Sequence, residues 1–201
     1  MNPLEKKVLG SSGVEVIRLG LGGSSIGRLE GENAAETATR IVHQAFDLGL
    51  NLVDTAPLYG RGVSEELLGK ALLGVPRDSY VLTSKVGRLV DVADGQRDIH
   101  FDFSYDAVMQ SVDESLARLG VDRIDILSIH DPDRHYDEAI KGAYPALDKL
   151  RSDGVIKGVS AGMNQWEMLA RFAREGSFDC FLLAWRYSLL EQTSLDELLP
   201  L

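Results

Sequence analysis

The sequence predicts a parallel α/β fold of repeated βα units, and three observations carry that prediction. Short apolar runs alternate with amphipathic segments at a spacing of roughly 30 residues, the size of a βαβ unit. The runs are continuously apolar, as strands covered on both faces are. Between them lie stretches whose apolar residues recur every three or four positions, the mark of a helix resting on a sheet. About six such strands are legible, so the expected architecture is a (β/α)8 TIM barrel that is C-terminally incomplete in this chain. A complete barrel has eight strands and typically ~250 residues.

The elements follow in order. "KKVLGSSGVEVI" reads as an N-terminal β-hairpin with "SSG" as its turn. "RLGLGG" is the first barrel strand. A helix is expected from about Asn33 to Leu48, with Ala38, Ile41, Val42 and Ala45 on one face and Gly49 as its stop. "NLVDT" is the second strand. Ser64 is expected to cap the next helix, with Glu65 and Glu66 at its positive end. Leu67, Leu68, Ala71 and Leu72 form that helix's stripe. "YVLTSKVG" is the third strand, and "RLVDVADGQRDIHFDF" reads as a long loop. A helix from about Ser104 to Leu119 carries Val108, Val112, Leu116 and Leu119 and stops at Gly120. "IDILSIH" is the fourth strand. Pro145 belongs in the first turn of the following helix, or kinks it. "IKGVSAG" is the fifth strand, with Asn164 and Glu167 as a capping box for the next helix. "FDCFLLAW" is the sixth strand, and Ser194 with Glu197 offers a further capping box. The whole chain, 1–201, reads as one domain lacking the last two βα units, with no linker or second domain.

Composition narrows the function. The 201 residues are 44% hydrophobic, enough for one sizeable core, and the net charge is −10. The acidic residues are dispersed, which argues against a nucleic-acid surface. The single cysteine, Cys180, rules out a disulfide framework within one chain and suits a reducing cytoplasm; within its apolar run it reads as a structural thiol. No stretch is long enough to span a bilayer, and "MNPLEKKVLG" has no signal-peptide core.

In a parallel βα fold ligands bind at the C-terminal strand ends. Polar residues stand there in series: "GGSS" after the first strand, Asp54 with Tyr59 after the second, Lys85 at the third, His130 at the fourth, Ser160 with Asn164 at the fifth, and Trp185, Arg186 and Tyr187 at the sixth. Each alone has an ordinary structural explanation. Their coincidence along one rim is the informative feature. Lysine and aspartate at neighbouring strand ends can pair, and the cation then lies near the phenol. A tyrosine titrates near ~10 in isolation, and a nearby cation favours the tyrosinate. Tyr59 thereby becomes a usable general acid or base, with His130 orienting a carbonyl oxygen or relaying a proton. No serine or cysteine nucleophile with a paired base is present. "HDPDRHYDE" could instead ligate a metal through His130, Asp131, Asp133 and His135. That reading weighs less, because Lys85 already supplies a cation there, so no metal is expected.

On these residues the chain resembles the aldo-keto reductase superfamily. "DTAPLYG" is similar to the family's Asp-plus-Tyr motif, "TSKVG" to its lysine motif and "SIHDPD" to its histidine motif. The resemblance implies a catalytic tetrad of Asp54, Tyr59, Lys85 and His130, and NADP or NAD bound without a Rossmann domain. It implies cofactor contacts from Gly22, Gly23, Ser24, Asp54, Ser160, Asn164 and Tyr187, and substrate contacts from Tyr59, His130 and Trp185. "GVSAGMNQW" departs from the commoner Gly-Val-Ser-Asn-Phe form, and Ala184 stands where many members carry a glutamine. The run "GSFDCFLLAWRYSLLEQTSLDELLP" most resembles dehydrogenases of D-threo-aldoses and L-fucose and their pyridoxal dehydrogenase relatives. The expected activity is hydride transfer between nicotinamide and a carbonyl or hemiacetal carbon, with a small carbonyl compound or sugar as substrate. The alternative is an inactive or cofactor-sensing binding protein of the same fold. A chain that ends at Leu201 is also expected to be a poor enzyme and a poor monomer, because its first and sixth strands would be open edges.

Overall fold

A computed structural model of the chain describes residues 4–201. An antiparallel hairpin of β1 (Lys6–Val8) and β2 (Glu15–Ile17) comes first. The barrel strands and helices follow: β3 (Gly20–Gly22), α1 (Ala34–Asp47), β4 (Leu52–Asp54), α2 (Val63–Leu72) and β5 (Val81–Val86). A second hairpin, β6 (Arg88–Ala93) and β7 (Gln96–Phe101), precedes α3 (Tyr105–Leu119) and β8 (Ile126–His130). A short α4 (Tyr136–Glu138) runs through a π-helical turn (Ala139–Ala143) into α5 (Tyr144–Ser152). Then come β9 (Gly158–Met163), α6 (Trp166–Glu175) and β10 (Cys180–Leu183).

Six strands form one parallel sheet in the order β3-β4-β5-β8-β9-β10. Alternation along the strands decides which face meets what. Val53, Leu82, Leu127 and Val159 are fully buried in the core shared with Ala38, Val42, Leu68, Leu147 and Leu169 of the helices. The opposite face carries Asp54, Thr83, Ser128, Ser160 and Cys180, which line a cavity of about 190 Å³ with Leu52, Ile126 and Phe181. The strands therefore read as apolar because their outward residues are, while the inward set is largely polar. Val14 and Val16 of the first hairpin segment pack with Val81 and Ile126, at the strand starts. That hairpin thus sits at the N-terminal end of the sheet, away from the strand ends that carry the site.

Several local expectations are corrected. The segment after β5 is a hairpin, not a loop: β6 and β7 pair from Arg88↔Phe101 to Ala93↔Gln96. Its two-residue turn is Asp94-Gly95, both at positive φ (51° and 76°), the type I′ geometry whose backbone twist matches that of paired strands. Ser64 does not cap α2; Gly62, at φ 88°, does so, and the Ser64 hydroxyl bonds the Gly23 carbonyl at 2.8 Å and the Thr55 hydroxyl at 2.9 Å. Glu65 and Glu66 do stand in the first turn of α2 as expected, and Glu65 is in addition wholly buried, bonding Ser84 (2.7 Å) and Arg118 (2.7 Å). Gln165 rather than Asn164 is the N-cap of α6. Ser194 lies in a 3-10 turn (Thr193–Leu195) and not at the start of an α-helix, and Glu197 pairs with Arg174 at 2.6 Å. Ile41 is on the exposed margin of α1. Pro145 does stand in the first turn of α5, directly after the π-helical turn. Cys180 is only half-buried, and burial pushes its thiol up.

Candidate active site

The site is built from the ends of β4, β5 and β8. Register sets Asp54 beside Thr83 and Lys85 beside Ser128. Lys85 is 1% exposed. Its ammonium donates to both Asp54 oxygens (2.9 and 2.8 Å) and to the Thr55 carbonyl (2.8 Å), and Thr83 Oγ1 donates to Asp54 Oδ1 at 2.7 Å. An ammonium has three N–H donors and no acceptor. With those donors directed at carboxylate and carbonyl, Lys85 is arranged as a fixed cation and not as an amine nucleophile.

Tyr59 is held by its backbone. Beside Tyr59, Gly60 (φ 62°) packs so closely on Gly27 that a Cβ on Gly60 would lie 2.2 Å from the Gly27 carbonyl oxygen. Ser64 N–H donates to the Tyr59 carbonyl at 3.1 Å. The ring so placed has the Lys85 ammonium 4.7 Å from its centroid and meets the His130 ring edge-on, 5.9 Å between centroids at 87°. Carboxylate, ammonium, phenol and imidazole therefore form one contiguous group. Gly60→Ala is expected to lower Tm by about 3–8 °C, since a left-handed L-residue costs roughly 1–2 kcal/mol before any clash. A thermal melt of the variant checks this, and an unchanged Tm would mean that the Gly27–Gly60 contact is not tight.

His130 is buried at the end of β8, and its Nδ1 finds no hydrogen-bond partner among the described residues. Burial, the Lys85 ammonium and the Arg88 guanidinium, in that order, hold its imidazole well below the ordinary 6.5. It is thus neutral at neutral pH and offers one donor and one acceptor. The consequence for stability has a definite sign. The unfolded chain takes up this proton below pH 6.5 while the folded protein does not, so stability is complete above 6.5 and falls as the pH drops below it, by at most about 1.4 kcal/mol per pH unit. His130→Asn should therefore lose less Tm than the wild type between pH 8 and pH 5.5. Equal losses would show that His130 protonates freely in the fold.

The remaining expected residues are more scattered. Gly23 N–H donates to the Asp54 carbonyl at 2.7 Å, which puts the Gly22–Ser24 turn against the site. Ser160 is buried on the inward face of β9, within the same cavity lining as Asp54. Asn164 lies past the end of β9 and spends its amide on the Ala184 carbonyl at 3.0 Å. Trp185, expected in a pocket, is 88% exposed, and Tyr187 is 55% exposed. Asp131 pairs with Arg88 at 2.6 Å and His135 stacks on Phe101, so neither is arranged as a metal ligand. The sequence marked Ser64, which bonds Thr55 and Gly23, only as a cap. It did not single out Thr55 and Thr83, which bond Lys85 and Asp54, or Arg88 and Phe101 of the second hairpin. The Asp-Gly turn between alternating residues was the available signal for the last two.

The Aldo/keto reductase family model matches residues 18–201. The chain belongs to the aldo/keto reductase family. It is 38% identical to the D-threo-aldose 1-dehydrogenase of a Pseudomonas species, over 94% of this chain and 63% of that one. It is 36% identical to the pyridoxal 4-dehydrogenase of Microbacterium luteolum (98% and 66%) and 35% identical to the L-galactose dehydrogenase of Arabidopsis thaliana (100% and 62%). Among solved structures it resembles the holo form of an aldo-keto reductase from Bacillus halodurans, with a TM-score of 0.78 at 28% identity, covering 90% of this chain and 58% of that one. The glycerol dehydrogenase of Gluconobacter oxydans follows with a TM-score of 0.74 at 29% identity (90% and 55%). The curled parallel sheet of this aldo/keto reductase is accordingly part of a (β/α)8 barrel, and the chain spans 62–66% of the length of these curated relatives. Among the described residues no helix is long and apolar enough to cross a membrane.

Proposed function

We propose that this aldo/keto reductase chain carries the chemical centre of a nicotinamide-dependent dehydrogenase that oxidises a neutral aldose at its hemiacetal carbon and reduces the corresponding carbonyl. The observation that supports this most is the Lys85 ammonium. It is buried, tied to Asp54 and Thr55, and lies 4.7 Å from the centroid of the Tyr59 ring. A structural ion pair would not need a half-buried phenol and a neutral imidazole gathered beside it. The names of the relatives, two of them sugar dehydrogenases, supply the substrate class.

The residues fit a nicotinamide cofactor. A carboxamide needs both a donor and an acceptor. Ser160 offers a hydroxyl beside the site, and Asn164 retains a side-chain oxygen after its amide bonds Ala184. The glycine turn at Gly22 and Gly23 lies against Asp54, and Ser24 follows it; Tyr187 is exposed at the end of the sixth unit. When bound, the cofactor would supply hydride exchange at nicotinamide C4. Tyr59 accepts the hydroxyl proton of the sugar during oxidation and returns it during reduction. Lys85 sets a fixed positive charge beside the Tyr59 ring, Asp54 fixes Lys85, and neutral His130 holds the reacting oxygen in place. NADP and NAD are both compatible with these residues. Incubating the purified protein with either cofactor and L-galactose, and following absorbance of the reduced nicotinamide, tests the reading. No turnover with any neutral aldose, despite bound cofactor, would refute it.

A further inference from the structure

The second hairpin brings two charged groups to the edge of the site. Gly87 (φ 94°) turns the chain out of β5, and a Cβ there would strike the Phe103 ring at 2.1 Å. Arg88, the first residue of β6, then meets Asp131 at 2.6 Å. Its guanidinium lies over the Phe101 ring at 4.7 Å, and Phe101 is itself stacked on His135 at 5.4 Å. The guanidinium is thereby fixed, yet its Nε is buried without a partner among the described residues. Asp131 is just as specifically placed. It follows His130 directly and adopts φ 44°, a left-handed conformation that aspartate takes up more readily than most residues and that turns its side chain toward Arg88. Its Oδ2 lies 3.8 Å from His130 Nε2. Arg88, Phe101, Asp131 and His135 line a cavity of about 300 Å³ with Asp133 and Arg134.

We infer that Arg88 and Asp131 form a hydroxyl-reading pair that selects neutral sugars through the hydroxyl adjacent to the reacting carbon. This rests on the dehydrogenase reading for the position of the reacting oxygen, at His130. With that oxygen on His130, the next hydroxyl along the sugar, at C2, comes to the Asp131 carboxylate 3.8 Å away. The hydroxyl donates to Asp131 and accepts from a guanidinium N–H, which satisfies both members of the pair. Other substrate classes fare worse. A phosphate or carboxylate would meet Asp131 and Asp133 as well as Arg88 and Arg134, so the cavity has no excess of positive charge to favour an anion. An apolar aldehyde would cover the ion pair without bonding to it, at the cost of desolvation.

The test is ligand-observed NMR binding of L-galactose and of 2-deoxy-L-galactose, in the presence of excess NADP, to the wild type, R88L and D131N. The wild type is expected to bind the parent sugar about 10- to 100-fold more tightly than the deoxy sugar, and both variants to lose most of that difference. D131N is nearly isosteric and carries the test if R88L folds poorly. Equal affinity of the two sugars for the wild type, no binding of either, or discrimination retained in D131N would overturn the inference. Turnover measured on the same samples separates the two readings. Discrimination in binding without hydride transfer would remove the dehydrogenase assignment and leave the hydroxyl-reading pair standing. Turnover that ignores the C2 hydroxyl would do the reverse.

Discussion

Replacing Tyr59 with phenylalanine is expected to lower kcat by roughly 10²–10⁴-fold while leaving cofactor affinity nearly intact. The magnitude is that of a general acid-base group. The ring stays, so the edge-on contact with His130 and the cation contact with Lys85 are both kept. Only the oxygen that exchanges the proton is lost. Cofactor fluorescence titration and steady-state kinetics on the same preparation separate the two effects. A variant with most of the wild-type kcat would take Tyr59 out of the chemistry.

Lys85→Met is expected to damage both turnover and stability. The ammonium is enclosed, with two bonds to Asp54 and one to Thr55. Removing one member of a buried pair leaves the other charge uncompensated, which typically costs about 3–5 kcal/mol. Asp54 is partly open to solvent, so the lower part of that range is the expectation. Methionine fills the space of the lysine stem, which keeps packing loss out of the comparison. Denaturant unfolding should show the stability loss, and kinetics should show Tyr59 working without its neighbouring cation. Wild-type stability in the variant would mean that Asp54 and Lys85 are independently solvated, contrary to the 2.8 Å contact.

Three of the four central residues were legible because each is a polar group ending an apolar run, and Tyr59 because it stands in the loop directly after the first of them. Asp54, Lys85 and His130 terminate or nearly terminate β4, β5 and β8, and a parallel fold brings successive strand ends to one rim. The helices were legible from their periodicity, since the sheet buries one stripe of each. The second hairpin was not, because nearly all of its residues, apolar ones such as Val92 and Phe101 included, lie at or near the surface with only Leu89 buried, so no buried stripe announces it; only Asp94-Gly95 did. The caps failed for a different reason. Ser64 and Asn164 carry side chains suited to capping, but each has a tertiary partner that competes with its own helix: the Gly23 carbonyl for one and the Ala184 carbonyl for the other. Local sequence holds no record of such partners. Glu65 makes the same point, since nothing nearby in sequence foretells Arg118, 53 residues away.

Asp54, Tyr59, Lys85 and His130 are proposed to serve direct hydride exchange at the hemiacetal carbon of a sugar. The most direct test is to incubate the protein with an aldose deuterated at C1 and oxidised NADP or NAD, and to locate the label by mass spectrometry and NMR. Deuterium should arrive at nicotinamide C4, with the sugar recovered as its lactone or acid and with Tyr59→Phe slowing the transfer. Reduced nicotinamide carrying no label, or a sugar oxidised with its deuterium lost to water, would contradict the claim.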